Sequence, residues 1–161
     1  MKVLWAPWRM DYILSVDKGE GCIFCTGDDR EQDEERLILY VGSLTMVMMN
    51  RYPYINGHLL VAPIRHCPDL GYLSHEENLD LLLMVQRSIE VLKQTMNPEG
   101  FNVGLNLGRV AGAGVEEHMH FHIVPRWNGD TNYMTVLGDV RVIPEHIIDT
   151  YSKLKPLFEA L

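Results

Sequence analysis

The sequence predicts an α+β domain with a mainly antiparallel five-stranded sheet, one long central helix and a second helix near the C-terminus. Three observations carry this expectation. Five short β-prone runs recur between glycine, proline and asparagine punctuation. One long segment between the third and fourth runs has helical periodicity, and an apolar stripe returns at the C-terminus. With 161 residues, 47% of them apolar, the chain can bury a single sizeable core.

Leu37 to Val41 and Thr45 to Met49 read as a hairpin joined at Gly42-Ser43. His58 to Ala62 forms a third strand, opened by Asn56-Gly57 and closed by Pro63. The central helix begins at Ser74, where Glu77 three residues on completes a capping-box pattern. Leu82, Val85, Ile89, Leu92 and Met96 follow at steps of three and four and are expected to face inward. Leu81, Met84 and Val91 make a second apolar line, wider than one sheet face needs, which points to a dimer contact. Asn97-Pro98 and Gly100 stop the helix. Phe101 to Asn106 is the fourth strand, and His118 to Val124 the fifth, ended by Pro125. Pro144 to Phe158 reads as the last helix, with Ile147, Ile148, Tyr151 and Leu154 inward.

One domain is expected over residues 1–161: an N-terminal extension (1–36), a core (37–125) and a C-terminal extension (126–161). The longest apolar runs, Leu59 to Pro63 and Leu81 to Val85, are far short of the roughly 20 residues of a membrane span. The first residues, with Trp5, Pro7, Trp8 and Arg9, lack the apolar run of a signal peptide, so a cytoplasmic protein is expected. Fourteen basic against 22 acidic residues give a net charge of −8, which argues against a general nucleic-acid binder. A small phosphorylated ligand, which meets a pocket rather than the whole surface, remains compatible. The acidic stretch from Asp28 to Glu35 reads as a solvated loop.

Glu117-His118-Met119-His120-Phe121-His122-Ile123-Val124-Pro125 carries the most chemistry. On a strand, His118, His120 and His122 share one face while Met119, Phe121 and Ile123 turn to the core. Three imidazoles on one face need partners for six ring nitrogens, a demand that structure alone rarely makes. The pattern fits either metal ligation or nucleophilic catalysis. His118 and His122 lie about 13 Å apart at roughly 3.3 Å per residue, so one ion does not easily take all three. In the nucleophilic reading His120 attacks a phosphorus centre while its neighbours orient it and handle the leaving group. In the other, His118 and His120 hold an open catalytic ion. A nucleotide-binding partner protein with little catalysis is the third possibility.

Two further patterns stand nearby. Ala111-Gly112-Ala113-Gly114 precedes the histidines, and glycine there lets successive backbone N–H groups cradle an anion, which nominates Gly112 and Gly114 as phosphate contacts. Cys22 and Cys25 have the spacing of half a zinc site, with His66, Cys67, His75 or His118 as possible completing ligands. A redox pair would call for a thioredoxin-like βαβ context that the pattern lacks.

His118-Met119-His120-Phe121-His122-Ile123-Val124 resembles the motif of the histidine triad (HIT) family at every position. Asn50 to Pro63, including His58, is similar to that family's upstream signature, and Asn106-Leu107-Gly108 to its third. Leu4 to Arg9 and Pro125 to Met134 resemble the diadenosine tetraphosphate phosphorylase-like branch. The resemblance implies a HIT-like fold and a nucleotidyl hydrolase or transferase. It implies that His120 forms a nucleotidyl-histidine on the α-phosphorus, that His122 contacts phosphoryl oxygens or the leaving group, and that His58 completes the polar network. It further implies that Asn50 binds a ribose hydroxyl and Asn106 the phosphate region. Water or inorganic phosphate would resolve the intermediate.

In branches that keep Cys-x-x-Cys, the resemblance gives His66 and His118 as the partners of Cys22 and Cys25 in a closed, structural zinc site. It also implies a homodimer. Val115 departs from the family, which often has Ser or Thr three residues before the first histidine. Arg9, Arg51, Arg65 and Arg126 are candidates to neutralise a polyphosphate, Trp5 and Trp8 read as packing residues, and His75 and His146 as exposed.

Overall fold

The computed structural model describes residues 21–131 and 143–161. Trp5, Trp8, Arg9 and the flanking residues Asn132 to Met134 lie outside them. Five strands, β1 (Ile38–Val41), β2 (Thr45–Met49), β3 (Leu59–Pro63), β4 (Gly100–Leu105) and β5 (Phe121–Arg126), form one antiparallel sheet. The spatial order is β1-β2-β3-β5-β4, so the last strand of the chain lies between the third and fourth. Among the described residues, two α-helices, α1 (His75–Met96) and α2 (Ile147–Glu159), accompany the sheet in the expected α+β architecture.

Alternation along the strands sorts the core into two sides. Leu39, Val47, Met49, Leu59, Val61 and Ile123 face the helices with Leu81, Met84, Leu92, Leu154 and Phe158. Ile38, Met46, Met48, Leu60 and Ala62 face the other way and are covered by Phe24, Cys22, Ile64 and Val115. His122 pairs with Leu60 on one side and Gly104 on the other, which puts it on this second face.

The capping box forms as expected: Ser74 Oγ accepts from Glu77 N at 3.1 Å, and Glu77 Oε2 accepts from Ser74 N at 2.6 Å. Asn97 ends α1 in the left-handed region at φ 45°. The inward stripe differs from expectation. Leu81, Met84, Val85, Ser88, Val91 and Leu92 are buried, whereas Leu82 is 57% exposed. Both apolar lines compete for the sheet, and the helix settles with Leu81 and Met84 down. The surplus apolar surface is therefore Leu79, Leu82 and Leu83.

Helix α2 starts three residues later than Pro144, because the His146 ring accepts from Ile148 N at 3.3 Å and caps it. Tyr151 Oη donates to Ile38 O at 3.1 Å and Lys155 Nζ to Leu39 O at 3.2 Å, tying α2 to β1. Asp33 is an exception to the solvated acidic loop: it is buried and faces Lys155 at 3.8 Å. No helix among the described residues is long and apolar enough to cross a membrane.

Candidate active site and metal cluster

The fifth strand begins at Phe121, not His118. His118, Met119 and His120 form its irregular approach, where Met119 N donates to Cys67 O at 2.8 Å instead of joining a ladder. That break lets the three histidines reach different partners. His118 is buried among Cys22, Cys25 and His66; His120 follows at 6% exposure; His122, in the strand, meets His58.

Gly57 sets the entry to His58. Its φ is +78°, which favours glycine, and a Cβ there would come within 2.5 Å of Met96 Sδ and displace that flexible side chain. The chain then returns with Asn50 N bonded to His58 O at 2.9 Å, placing the His58 ring beside β5.

The hydrogen bonds assign each ring its tautomer, since a backbone N–H only donates and a carbonyl only accepts. Tyr54 N donates to His58 Nδ1 at 3.1 Å. His58 therefore carries its proton on Nε2, which donates to His122 Nδ1 at 2.9 Å. The His122 proton is consequently on Nε2. For His120 the order is reversed: Nδ1–H donates to His118 O at 3.0 Å, so Nε2 keeps its lone pair. The site thus sets one imidazole lone pair beside one imidazole N–H, with ring centroids 4.9 Å apart. Burial lowers the basicity of His118 and His120, and brings His122 down to about 4, so the rings are neutral at pH 7.

A cleft of about 550 Å³ opens beside the His122 ring; His120, His58, Asn50, Gly112 and Gly114 are not among the residues that line it. His122, Asn106, Tyr54 and Gly104 line it near the histidines, and Arg126, Asp130 and Thr131 line it further along. Arg126 is fully engaged there, holding both Asp130 oxygens at 2.6 and 2.8 Å and Asn102 Oδ1 at 2.8 Å. Asn106 reaches Gly112 O at 3.4 Å. Gly112, at φ +91°, and Ala113 donate their N–H groups to Arg109 O and Gly108 O, so an anion at this loop would meet amides from Gly114 onward. Asn50 is engaged locally: its Oδ1 accepts from Tyr52 N at 2.9 Å and its Nδ2 lies 3.3 Å from His58 Nδ1. Arg65 pairs with Glu77 at 2.7 Å and Arg51 donates to Glu35 O at 2.5 Å, both in structural contacts.

The metal cluster brings together Cys22, Cys25, His66 and His118, whose ligand atoms all lie within 4.8 Å of one another. Cys22 Sγ is 3.3 Å from His118 Nδ1, Cys25 Sγ is 3.3 Å from His66 Nδ1, and the two Nδ1 atoms are 3.2 Å apart. A tetrahedral zinc with the usual bond lengths has ligand–ligand edges of roughly 3.3 to 3.8 Å, so the donor set fits that ion. His118 Nε2–H donates to Pro63 O at 2.8 Å, which leaves the Nδ1 lone pair facing the sulfurs. Burial and the neighbouring Cys22 push the Cys25 thiol up, a cost that a bound cation reverses. Of the other candidate ligands, Cys67 is buried in the helix-side core and His75 is exposed at the start of α1.

The HIT domain profile matches residues 31–129. The chain belongs to the HIT family. An AP-4-A phosphorylase from Mycobacterium tuberculosis is 40% identical over 154 residues, covering 91% of this chain and 79% of that protein. A bis(5'-adenosyl)-triphosphatase from Dictyostelium discoideum is 34% identical over 128 residues, covering 76% and 85%. Both of these HIT relatives are enzymes. A Zn-bound histidine triad family protein from Mycobacterium smegmatis superposes with a TM-score of 0.62 at 25% identity, covering 77% of this chain and 84% of that one. The HIT-like fold expected from the motifs is the fold observed. Phe24, Pro63 and the Tyr54 backbone are parts of this HIT site that sequence reasoning missed. Two apolar residues, Ile23 and Phe24, stand between the cysteines, a visible signal for one of them packing inward, while the other two contributions come from backbone atoms.

Proposed function

We propose that this HIT protein cleaves dinucleoside polyphosphates of the diadenosine tetraphosphate type through a nucleotidyl-histidine on His120. The observation that carries the reading is the opposed tautomers of His120 and His122. The Nε2 lone pair of His120 attacks the α-phosphorus, a P–N bond forms, and the bond from phosphorus to the leaving oxygen breaks. His122 Nε2–H donates to a phosphoryl or leaving-group oxygen, held in that role by His58. Water or inorganic phosphate then attacks the same phosphorus and releases His120. Asn50 is assigned to a ribose hydroxyl, Asn106 to the phosphate region and Gly114 to a backbone contact there, with Gly112, its own N–H engaged by Arg109 O, shaping the turn.

Cys22, Cys25, His66 and His118 would hold zinc, whose contribution is to fix the approach to β5. Four protein ligands close the tetrahedron, which supports a structural ion over an open catalytic one. Exposed Leu79, Leu82 and Leu83 on α1 and the edge position of β4 support pairing of two copies. Three cysteines outside any disulfide, two of them assigned to zinc, suit a reducing compartment such as the cytoplasm.

Incubation with diadenosine tetraphosphate, with and without phosphate, tests the reading. ATP plus ADP formed only with phosphate means phosphorolysis, and AMP plus ATP formed in water means hydrolysis. Full turnover by His120→Ala would remove the nucleophile assignment. A metal-dependent mechanism predicts instead that a rapid alkaline quench, which preserves a P–N bond, traps no nucleotide on the protein.

A further inference from the structure

The two residues between Cys22 and Cys25 turn opposite ways. Ile23 is exposed, whereas Phe24 is 1% exposed. The Phe24 ring lies 5.1 Å from that of His118 and 4.8 Å from that of His120, tilted only 32° to the latter. Several contacts fix the turn that carries it. Cys25 N donates to Cys22 O at 3.0 Å, Arg36 Nη2 donates to Ile23 O at 2.9 Å, and the two sulfurs reach His118 and His66.

An imidazole held by one hydrogen bond still rotates, because the torsion to the ring is broad and roughly two-fold. The Nδ1–H bond to His118 O restrains one edge of the His120 ring. His122 meets that ring edge-on, at 62°, which limits its travel without defining its plane. A flat wall is the missing restraint, and among the described residues the Phe24 ring, tilted 32° to the imidazole at a centroid distance of 4.8 Å, is placed to supply it.

We propose that Phe24 is a positioning residue for the nucleophile: carried by the Cys22–Cys25 turn, its ring sets the plane of the His120 imidazole. The proposal rests on the reading of His120 as the nucleophile. It makes the metal cluster a device that aims a side chain as well as a staple. Phe24 also packs against Ile38, Met46, Met48, Leu60 and Ala62, a role that a leucine of similar apolar character would keep. The plane restraint needs the aromatic face.

The test compares zinc-loaded wild type, Phe24→Leu and Phe24→Met as full chains. Metal content, kcat and KM for diadenosine tetraphosphate are measured, together with the nucleotidyl-His120 adduct after a denaturing alkaline quench, which preserves the P–N bond. The expected result is full zinc content, KM within about twofold, and kcat and adduct formation falling together by about 10- to 100-fold, as for a displaced reacting group. In wild type without nucleotide, the carbon-bound ring protons of His120 should resonate upfield through the Phe24 ring current, and both variants should lose that shift. Unchanged kcat at full zinc content, a loss confined to KM, or a wild type without the ring-current shift overturns the proposal; the last needs no variant to fold. A wild type that turns over without any His120 adduct overturns the parent reading, an outcome distinct from all of these.

Discussion

His58 Nε2 lies 2.9 Å from His122 Nδ1, and that contact decides which face of the His122 ring carries its proton. Because Tyr54 N occupies the far side of His58, the proton is handed along the line and emerges at His122 Nε2.

His58→Ala should therefore leave His122 in place but free to adopt either tautomer. The expected loss in kcat is about 100-fold, the scale of a misplaced general acid, with a smaller change in KM. Steady-state kinetics beside a thermal melt checks this, since a folded variant with full activity would remove His58 from the network.

The depressed His122 basicity makes a pH prediction with a definite sign. Its folded value of about 4 lies below the ordinary value of 6.5, so between them the unfolded chain binds a proton that the folded one refuses. Stability linked to this ring is complete above about pH 6.5 and is lost as pH falls towards 4. Urea midpoints across that window, at saturating zinc, should fall more steeply for wild type than for His122→Asn. Because burial lowers the basicity of His120 as well as His122, the acid-side fall of kcat should begin at a lower pH than for a solvated imidazole.

Metal analysis should find one zinc per chain, and His66→Ala should reduce that content while His75→Ala leaves it intact. Chelation should lower the melting temperature by about 10 °C or more, since a bound ion contributes several kcal/mol through linkage. Equal melting points with and without chelator would rule out the structural role.

Gly57→Ala is expected to destabilise the fold by about 1 to 3 kcal/mol, because the residue sits at φ +78° and its Cβ would strike Met96 Sδ. The shift should propagate to His58, so kcat should fall with stability. Denaturant melts and kinetics on the same preparation check both.

Much of this was legible in the sequence because it rests on side-chain periodicity and spacing. The capping box at Ser74 and the five strands are of that kind; for the cluster, spacing marked Cys22 and Cys25 but left His66, Cys67, His75 and His118 open, and only the family resemblance pointed to His66 and His118. The start of β5 was not, because His118 to His120 alternate like a strand while Met119 N bonds to Cys67 O instead. Leu82 was misplaced for a related reason: two apolar lines on one helix satisfy the same period, and only the packing against the sheet chooses between them. The tautomers were out of reach because the deciding partners, Tyr54 N, Pro63 O and His118 O, are backbone atoms.

The position of β5 has a consequence for how the molecule matures. Strand β4 is made before β5 yet pairs with nothing else in the sheet, so it waits without a neighbour until β5 slides in beside it. His58 and His122 are 64 positions apart, and Cys22 and His118 are 96 apart. No early hairpin of a nascent chain can hold a working pair of rings, and such distant pairings form slowly. Turnover is thus a faithful reporter of completed folding, silent until the final third of the polypeptide has threaded into place.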